Sequence, residues 1–174
     1  MRVGQANGTY FRVHKPSWAF QPLSGAGAAR QGGRLNRPGT HALYLAADAQ
    51  TALAEYQQVS SLLPPGTIVS YDVALQPVVD FTGGYVPGQW DPLWEDFFCD
   101  WRKLAIADCV EPPSWVLSDL VLDAGAKGVL FPSVAHPGGI NLVIYSASVA
   151  PSDTLKVNDP GGDLPVDQSS WNRT

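Results

Sequence analysis

The chain has 174 residues and a mass of 18.6 kDa, a length that predicts one domain of ordinary size. A hydrophobic content of 45% supports a buried core and excludes wholesale disorder, while 17 glycines and 15 prolines predict many turns. The net charge of −5 argues against nonspecific nucleic-acid binding, which depends on phosphate neutralisation.

The charge is unevenly spread. Residues 1–47 carry Arg2, Arg12, Lys15, Arg30, Arg34 and Arg37 and no acid, so all 16 acidic side chains come later. An acid-free basic segment of this kind can receive a small polyanion without charging the whole surface. In chain order, residues 9–13 (TYFRV) suit a short strand that carries Arg12. Residues 21–40 read as a glycine-rich loop. Gly25-Ala26-Gly27 begins like a dinucleotide fingerprint but has Arg30 where the third glycine or alanine belongs. Residues 41–46 form a strand with Leu43 and Leu45 on one face and Tyr44 on the other.

Asp48 then caps a helix whose apolar stripe is Ala49, Ala52, Leu53, Tyr56 and Val59. Glu55 falls on the margin of that stripe, where a carboxylate borders a core and a cleft. Pro64-Pro65-Gly66 ends this segment. Residues 67–73 are a strand, and 78–81 suit another. Residues 82–97 form a Gly-, Pro- and Trp-rich connection with a helical turn over 92–97. Helices follow over 99–107 and 113–124, the second with the stripe Val116, Leu117, Leu120, Val121 and Ala124. Strands over 129–131 and 140–146 are joined by PSVAHPGG. The last 20 residues are polar and turn-rich. Helices and strands interleave irregularly, which favours a single mixed α+β domain over a doubly wound sheet.

Several chemistries lack their signatures. Residues 1–30 hold no apolar h-region and no stretch reaches membrane-spanning length, so a cytoplasmic protein is expected. Cys99 and Cys109 match no metal or redox spacing and are expected to be reduced. His14, His41 and His136 are scattered, and no metal site is expected. There is no phosphate loop and no GxSxG elbow. An activated Ser133 would have to use His136, three residues on in a Pro-Gly-Gly turn. Trp18, Trp90 and Trp94 lie in turn-rich stretches that suit a partner surface.

Taken jointly, the motifs say more. Arg12, then Gly32-Gly33-Arg34-Leu35-Asn36-Arg37-Pro38-Gly39, Tyr44-Leu45-Ala46, Ala52-Leu53-Ala54-Glu55, Phe131-Pro132-Ser133 and Gly139-Ile140-Asn141 occur in that order. This arrangement, over residues 9–146, resembles the RES domain family. The resemblance implies a domain over residues 1–150, with 151–174 as a polar flank of unassigned role. It implies a fold like that of ADP-ribosyltransferases, a split twisted β-sheet around an NAD cleft with flanking helices. It also implies the toxin of a bacterial toxin–antitoxin pair, partnered by an Xre-type helix-turn-helix antitoxin, with neither nucleic acid nor membrane as a direct partner.

The implied activity is consumption of NAD as substrate, by hydrolysis or phosphorolysis, with no prosthetic group and no metal. Glu55, Tyr44 and Arg34 match the family's catalytic positions. Arg12, Arg34, Tyr44, Ser133 and Asn141 match its NAD-binding ones. Leu35 departs from the pattern, since that position is often Trp in the family. The residue types suit the chemistry on their own terms. Arginines neutralise a pyrophosphate, and a carboxylate stabilises the oxocarbenium-like state that forms as the nicotinamide–ribose bond breaks. Two alternatives stay open at this point. One is a protein ADP-ribosyltransferase modifying a host metabolic enzyme; the other is a non-catalytic nucleotide-binding module.

Overall fold

The structure, a computed structural model, describes residues 1–58 and 60–171. Six strands build one sheet: β1 (Val3–His14), β2 (Ala42–Ala46), β3 (Thr67–Asp80), β4 (Gly128–Pro132), β5 (Ile140–Tyr145) and β6 (Thr154–Val157). Their order is β1-β2-β5-β4-β3-β6, and β1 also pairs with β3, so five strands close into a ring and β6 extends one edge. Three α-helices flank it: α1 (Ala26–Gln31), α2 (Ala49–Gln57) and α3 (Pro113–Asp123). The mixed α+β domain expected from the sequence is therefore present.

Two long strands carry the ring. In β3, Val69, Tyr71, Val73 and Leu75 are buried at period two, alternating with exposed Ile68, Asp72, Ala74 and Gln76. The phase changes at Gln76 and Pro77, which stand opposite the single residue Gln5 of β1 in a bulge. Proline is tolerated there because the ladder is already interrupted. The expected separate strand at 78–81 is thus the continuation of β3. Likewise β1 extends well beyond the expected 9–13.

The ring interior holds Ala6, Tyr10, Leu43, Leu45, Val69, Tyr71, Val73, Leu142 and Ile144. Strands β2, β4 and β5 are covered on their outer face as well. Leu117 and Val121 of α3 pack there with Phe81, Trp90, Trp94 and Phe97. Phe81 meets Trp90 edge-on at 4.9 Å, and Trp94 and Phe97 stack at 5.9 Å. Trp90 and Trp94 are therefore core residues, and of the three tryptophans proposed as a partner surface only Trp18 is exposed.

Other local expectations shift for identifiable reasons. The glycine-rich loop contains α1, an alanine-rich turn. The buried face of α3 is Ser114, Leu117, Ser118 and Val121, rotated from the expected stripe, and Leu120 is exposed. In α2 the buried residues are Thr51 and Ala52; Val59 lies outside the described residues. The expected helix over 99–107 is a π-helical turn, Lys103–Ala107. The polar flank packs back on the domain: β6 pairs with β3, and Lys127 Nζ bonds both carboxylate oxygens of Asp153 at 2.6 and 2.7 Å. Among the described residues no helix is long and apolar enough to cross a membrane.

Buried His14, at the end of β1, shares a 2.7 Å hydrogen bond with the Tyr71 hydroxyl, which donates to the Pro22 carbonyl. Burial, reinforced by the nearby Arg12 charge, lowers the His14 pKa from 6.5 to about 4. Between those values the unfolded chain holds a proton that the folded chain refuses. Stability therefore falls as pH drops through this window, by up to about 1.4 kcal/mol per pH unit. His14→Gln, which keeps a donor, should flatten the melting-temperature profile between pH 6.5 and 4. A profile as steep as wild type would show that another group sets the slope.

Candidate active site

The strand pair β1 and β2 creates the cleft. They meet with Phe11 opposite Ala46. Beyond that point the antiparallel strands splay, leaving Arg12 and Val13 on one side and Leu45 and Tyr44 on the other. All four line a cleft of about 760 Å³. Helix α2 contributes Ala52, Glu55 and Tyr56, and β4 and β5 contribute Phe131 and Asn141. The far wall comes from Gly32, Gly33 and Arg34, and from Trp101 and Arg102. Five of the six expected site residues thus share one cleft: Arg12, Arg34, Tyr44, Glu55 and Asn141.

Glu55 is held by two neutral donors. Ser133 Oγ donates to Oε1 at 2.7 Å, and Asn141 Nδ2 donates to the same oxygen at 2.6 Å. Among the described residues Oε2 has no hydrogen-bond partner. The Ser133 hydroxyl also accepts from the His136 backbone N–H at 3.0 Å. Ser133 does not itself line the cleft, and its hydroxyl proton is directed to Glu55 rather than into the cavity. The possible Ser133–His136 nucleophile does not assemble, because the His136 ring bonds to Thr51 while only its backbone reaches Ser133.

The two expected arginines differ. Arg34 Nη1 donates to the Phe97 and Cys99 carbonyls at 3.1 and 2.9 Å, and its guanidinium lies 5.7 Å from the Phe98 ring centre. The Arg12 side chain makes no hydrogen bond or ion pair among the described residues, and its Nη1 is fully enclosed without a partner. Burial lowers the pKa of both, most simply for Arg12, where only the Tyr71 and Tyr44 hydroxyls oppose it. A buried guanidinium nitrogen without an acceptor is costly. An anionic group entering the cleft would supply that acceptor.

Tyr44 offers its ring to the cleft, but its hydroxyl is committed. It donates to Asn36 Oδ1 at 2.8 Å and accepts from Leu35 N at 3.0 Å. Burial drives its pKa far above the ordinary tyrosine range, so it stays protonated. Asn36 is fully buried and its Nδ2 reaches the Ala28 and Thr40 carbonyls at 3.0 Å. At Gly33 a Cβ would fall 2.5 Å from both Asn36 Oδ1 and Tyr44 OH, so only glycine fits. Trp115 Nε1 donates to the Gly33 carbonyl at 2.8 Å from the α3 side. Leu35 is buried in the aromatic core, so the position often occupied by Trp in the family faces away from the cleft.

Tyr44→Phe should therefore cost about 1–3 kcal/mol of stability, the price of leaving buried Leu35 N and Asn36 Oδ1 short of a partner. Turnover should fall by less than about tenfold, because the ring remains. Chemical denaturation and steady-state kinetics together check this. A loss of several thousand-fold with unchanged stability would instead make the hydroxyl a reacting group.

Sequence reasoning missed Arg102. Its guanidinium lies 4.6 Å from the Trp101 ring centre, and its Nη2 is 3.4 Å from Gln58 Oε1. The adjacent Trp-Arg pair was the available signal. With Arg12 and Arg34 it gives the cleft three cations around a single acid, Glu55. Among the described residues no group of three or more His, Cys, Asp or Glu side chains is arranged to hold a metal ion.

A family model described as the RES domain matches residues 9–167. Among solved structures, a chain of the crystal structure of the M. tuberculosis MbcT–MbcA toxin–antitoxin complex is similar, with a TM-score of 0.59 and 22% identity over 90% of this chain and 84% of that one. At that identity the likeness shows a shared fold. No curated protein matches. The family match takes in β2 to β6, the second half of β1 and every residue of the cleft described above, and on that ground the chain belongs to the RES domain family.

Proposed function

We propose that this protein is the toxin of a bacterial toxin–antitoxin pair and that it consumes NAD by cleaving the nicotinamide–ribose bond. The observation that carries this is the cleft's charge pattern. One carboxylate, held by Ser133 and Asn141, shares a cavity with an enclosed and unpartnered arginine nitrogen. NAD has the matching parts: a dianionic pyrophosphate and a ribose that becomes cationic as its glycosidic bond breaks. Arg12, with Arg34 and Arg102, would take the pyrophosphate. The Tyr44 ring would lie against the nicotinamide.

In this mechanism the C–N bond breaks with its electron pair leaving on nicotinamide, which departs neutral. Glu55, through the free Oε2, stabilises the ribosyl cation and holds a ribose hydroxyl. A water oxygen, with release of one proton to solvent, or an ionised phosphate oxygen then supplies the electron pair for the new bond. The products are nicotinamide and ADP-ribose, or its 1-phosphate. The alternative is protein ADP-ribosylation in the same cleft. Ile106 and Val134 line the cleft and are 70% and 67% exposed, an apolar rim suited to a protein acceptor. The fold shared with a chain of a toxin–antitoxin complex supports an antitoxin partner, of Xre type by the family resemblance. A non-catalytic nucleotide-binding module is disfavoured by the intact carboxylate and its two supporting donors.

Expression of the chain alone should arrest bacterial growth and deplete cellular NAD, and co-expression of its antitoxin should restore both. Normal growth with an unchanged NAD pool at high expression would overturn this reading.

A further inference from the structure

We propose that Thr51 and His136 form a latch that fixes the orientation of Glu55, so that both are positioning residues for the reaction. The inference rests on Glu55 acting on NAD as set out above. It starts from Asp48, the cap of α2. Asp48 Oδ1 accepts from Thr51 N at 2.8 Å, and its Oδ2 accepts from Thr51 Oγ1 at 2.7 Å. The single hydroxyl proton of Thr51 is thereby committed. The 2.8 Å contact between Thr51 Oγ1 and His136 Nδ1 must then be donated by His136. This fixes the ring as the Nδ1–H form and ties the 133–139 turn to the start of α2.

The backbone continues the chain of commitments. His136 N donates to Ser133 Oγ, Gly139 N donates to the His136 carbonyl at 2.9 Å, and Ser133 N donates to the Gly139 carbonyl at 2.8 Å. Ser133 Oγ, accepting from His136 N, turns its own proton onto Glu55 Oε1. Thr51 and Glu55 lie four residues apart on one face of α2. The same turn therefore grips the helix twice, by His136 on Thr51 and by Ser133 on Glu55. The approach is close: a Cβ at Gly139 would collide with Thr51 Oγ1. Thr51 is fully buried and His136 is partly exposed, and neither lines the cleft. Their effect on chemistry is indirect, through the direction of one hydroxyl and the rotamer of one carboxylate.

Thr51→Val removes the hydroxyl at nearly constant volume. The latch predicts a fall in kcat of about tenfold or more, with KM for NAD within about twofold. It also predicts about tenfold faster hydrogen exchange at the His136 amide, followed by NMR, with the central α2 amides unchanged. Thr51→Ser should restore both. His136→Leu, in a more exposed position, should repeat the loss should Thr51→Val fold poorly, and His136→Asn, which offers an N–H near Nδ1, should rescue it. Wild-type kcat in Thr51→Val, or unchanged exchange at His136, would overturn the latch. A wild-type protein that leaves NAD intact would sink the proposed function instead, and the exchange rates would then decide the latch by themselves.

Discussion

Glu55→Gln should lower NAD turnover by about a thousandfold, roughly 4 kcal/mol of transition-state stabilisation, while NAD affinity stays within about threefold. The substitution keeps the size of the side chain and leaves a carbonyl oxygen able to accept from Ser133 and Asn141, whose bonds to Oε1 are 2.7 and 2.6 Å. Folding and ground-state binding should thus survive. The negative charge that answers the ribosyl cation is lost, and that charge matters most when the bond is breaking. Initial rates of nicotinamide formation, with affinity measured separately by calorimetry, give the two quantities. A variant within about tenfold of wild-type turnover would remove Glu55 from the chemistry.

Arg12→Met should have two effects of opposite sign. The KM for NAD should rise by about a hundredfold, the loss expected for a charge-assisted phosphate contact worth near 3 kcal/mol. The unliganded protein should become more stable, by about 1–4 kcal/mol, because an enclosed cation without a partner gives way to an apolar side chain of similar length. Arg34→Met should behave differently. Arg34 satisfies the Phe97 and Cys99 carbonyls, so its loss leaves those acceptors short and lowers stability as well as affinity. Thermal melts with and without NAD separate the cases. Arg12→Met melting below wild type in the absence of NAD would mean that the guanidinium is a structural strut.

Local signals in the sequence were dependable where one residue decides the outcome. Asp48 caps α2 as its position suggested, and Glu55 sits at the edge of a cleft as its place beside the apolar stripe implied. The strands around 129–131 and 140–146 stand close to the expected bounds, because the first lies between Gly128 and Pro132 and the second starts directly after the Pro137-Gly138-Gly139 turn. What escaped depends on distant partners. Ring closure rests on the pairing of β1 with β3 and on Phe11 meeting Ala46, neither of which leaves a local mark. The strands expected at 67–73 and 78–81 read as separate until the bulge opposite Gln5 is seen to join them. Ser114 and Ser118 are polar letters on what proves to be the buried face of α3, so periodicity alone rotated the helix.

The site divides in the same way. That Arg12, Arg34, Tyr44, Glu55 and Asn141 belong together was implied by the family resemblance that their motifs carry, and one cleft brings them together. Their division of labour was hidden. Whether Tyr44 spends its hydroxyl on substrate or on Asn36, and whether Ser133 faces the ligand or Glu55, depends on hydrogen-bond directions that only neighbouring elements set. The acid-free basic segment gains a sharper meaning from this geometry. Of its six cations, Arg12 is enclosed and unpartnered, Arg34 is braced by carbonyls, and Arg37 is neutralised on Glu111 and Asp119.

Cleavage of the nicotinamide–ribose bond is read most directly from a time course of NAD incubated with the purified protein, resolved by chromatography, with and without inorganic phosphate. Nicotinamide should appear in step with NAD loss in at least one condition, and Glu55→Gln should show almost none. NAD that stays intact in both conditions, with no ADP-ribose appearing on any added acceptor protein, would contradict the proposed activity.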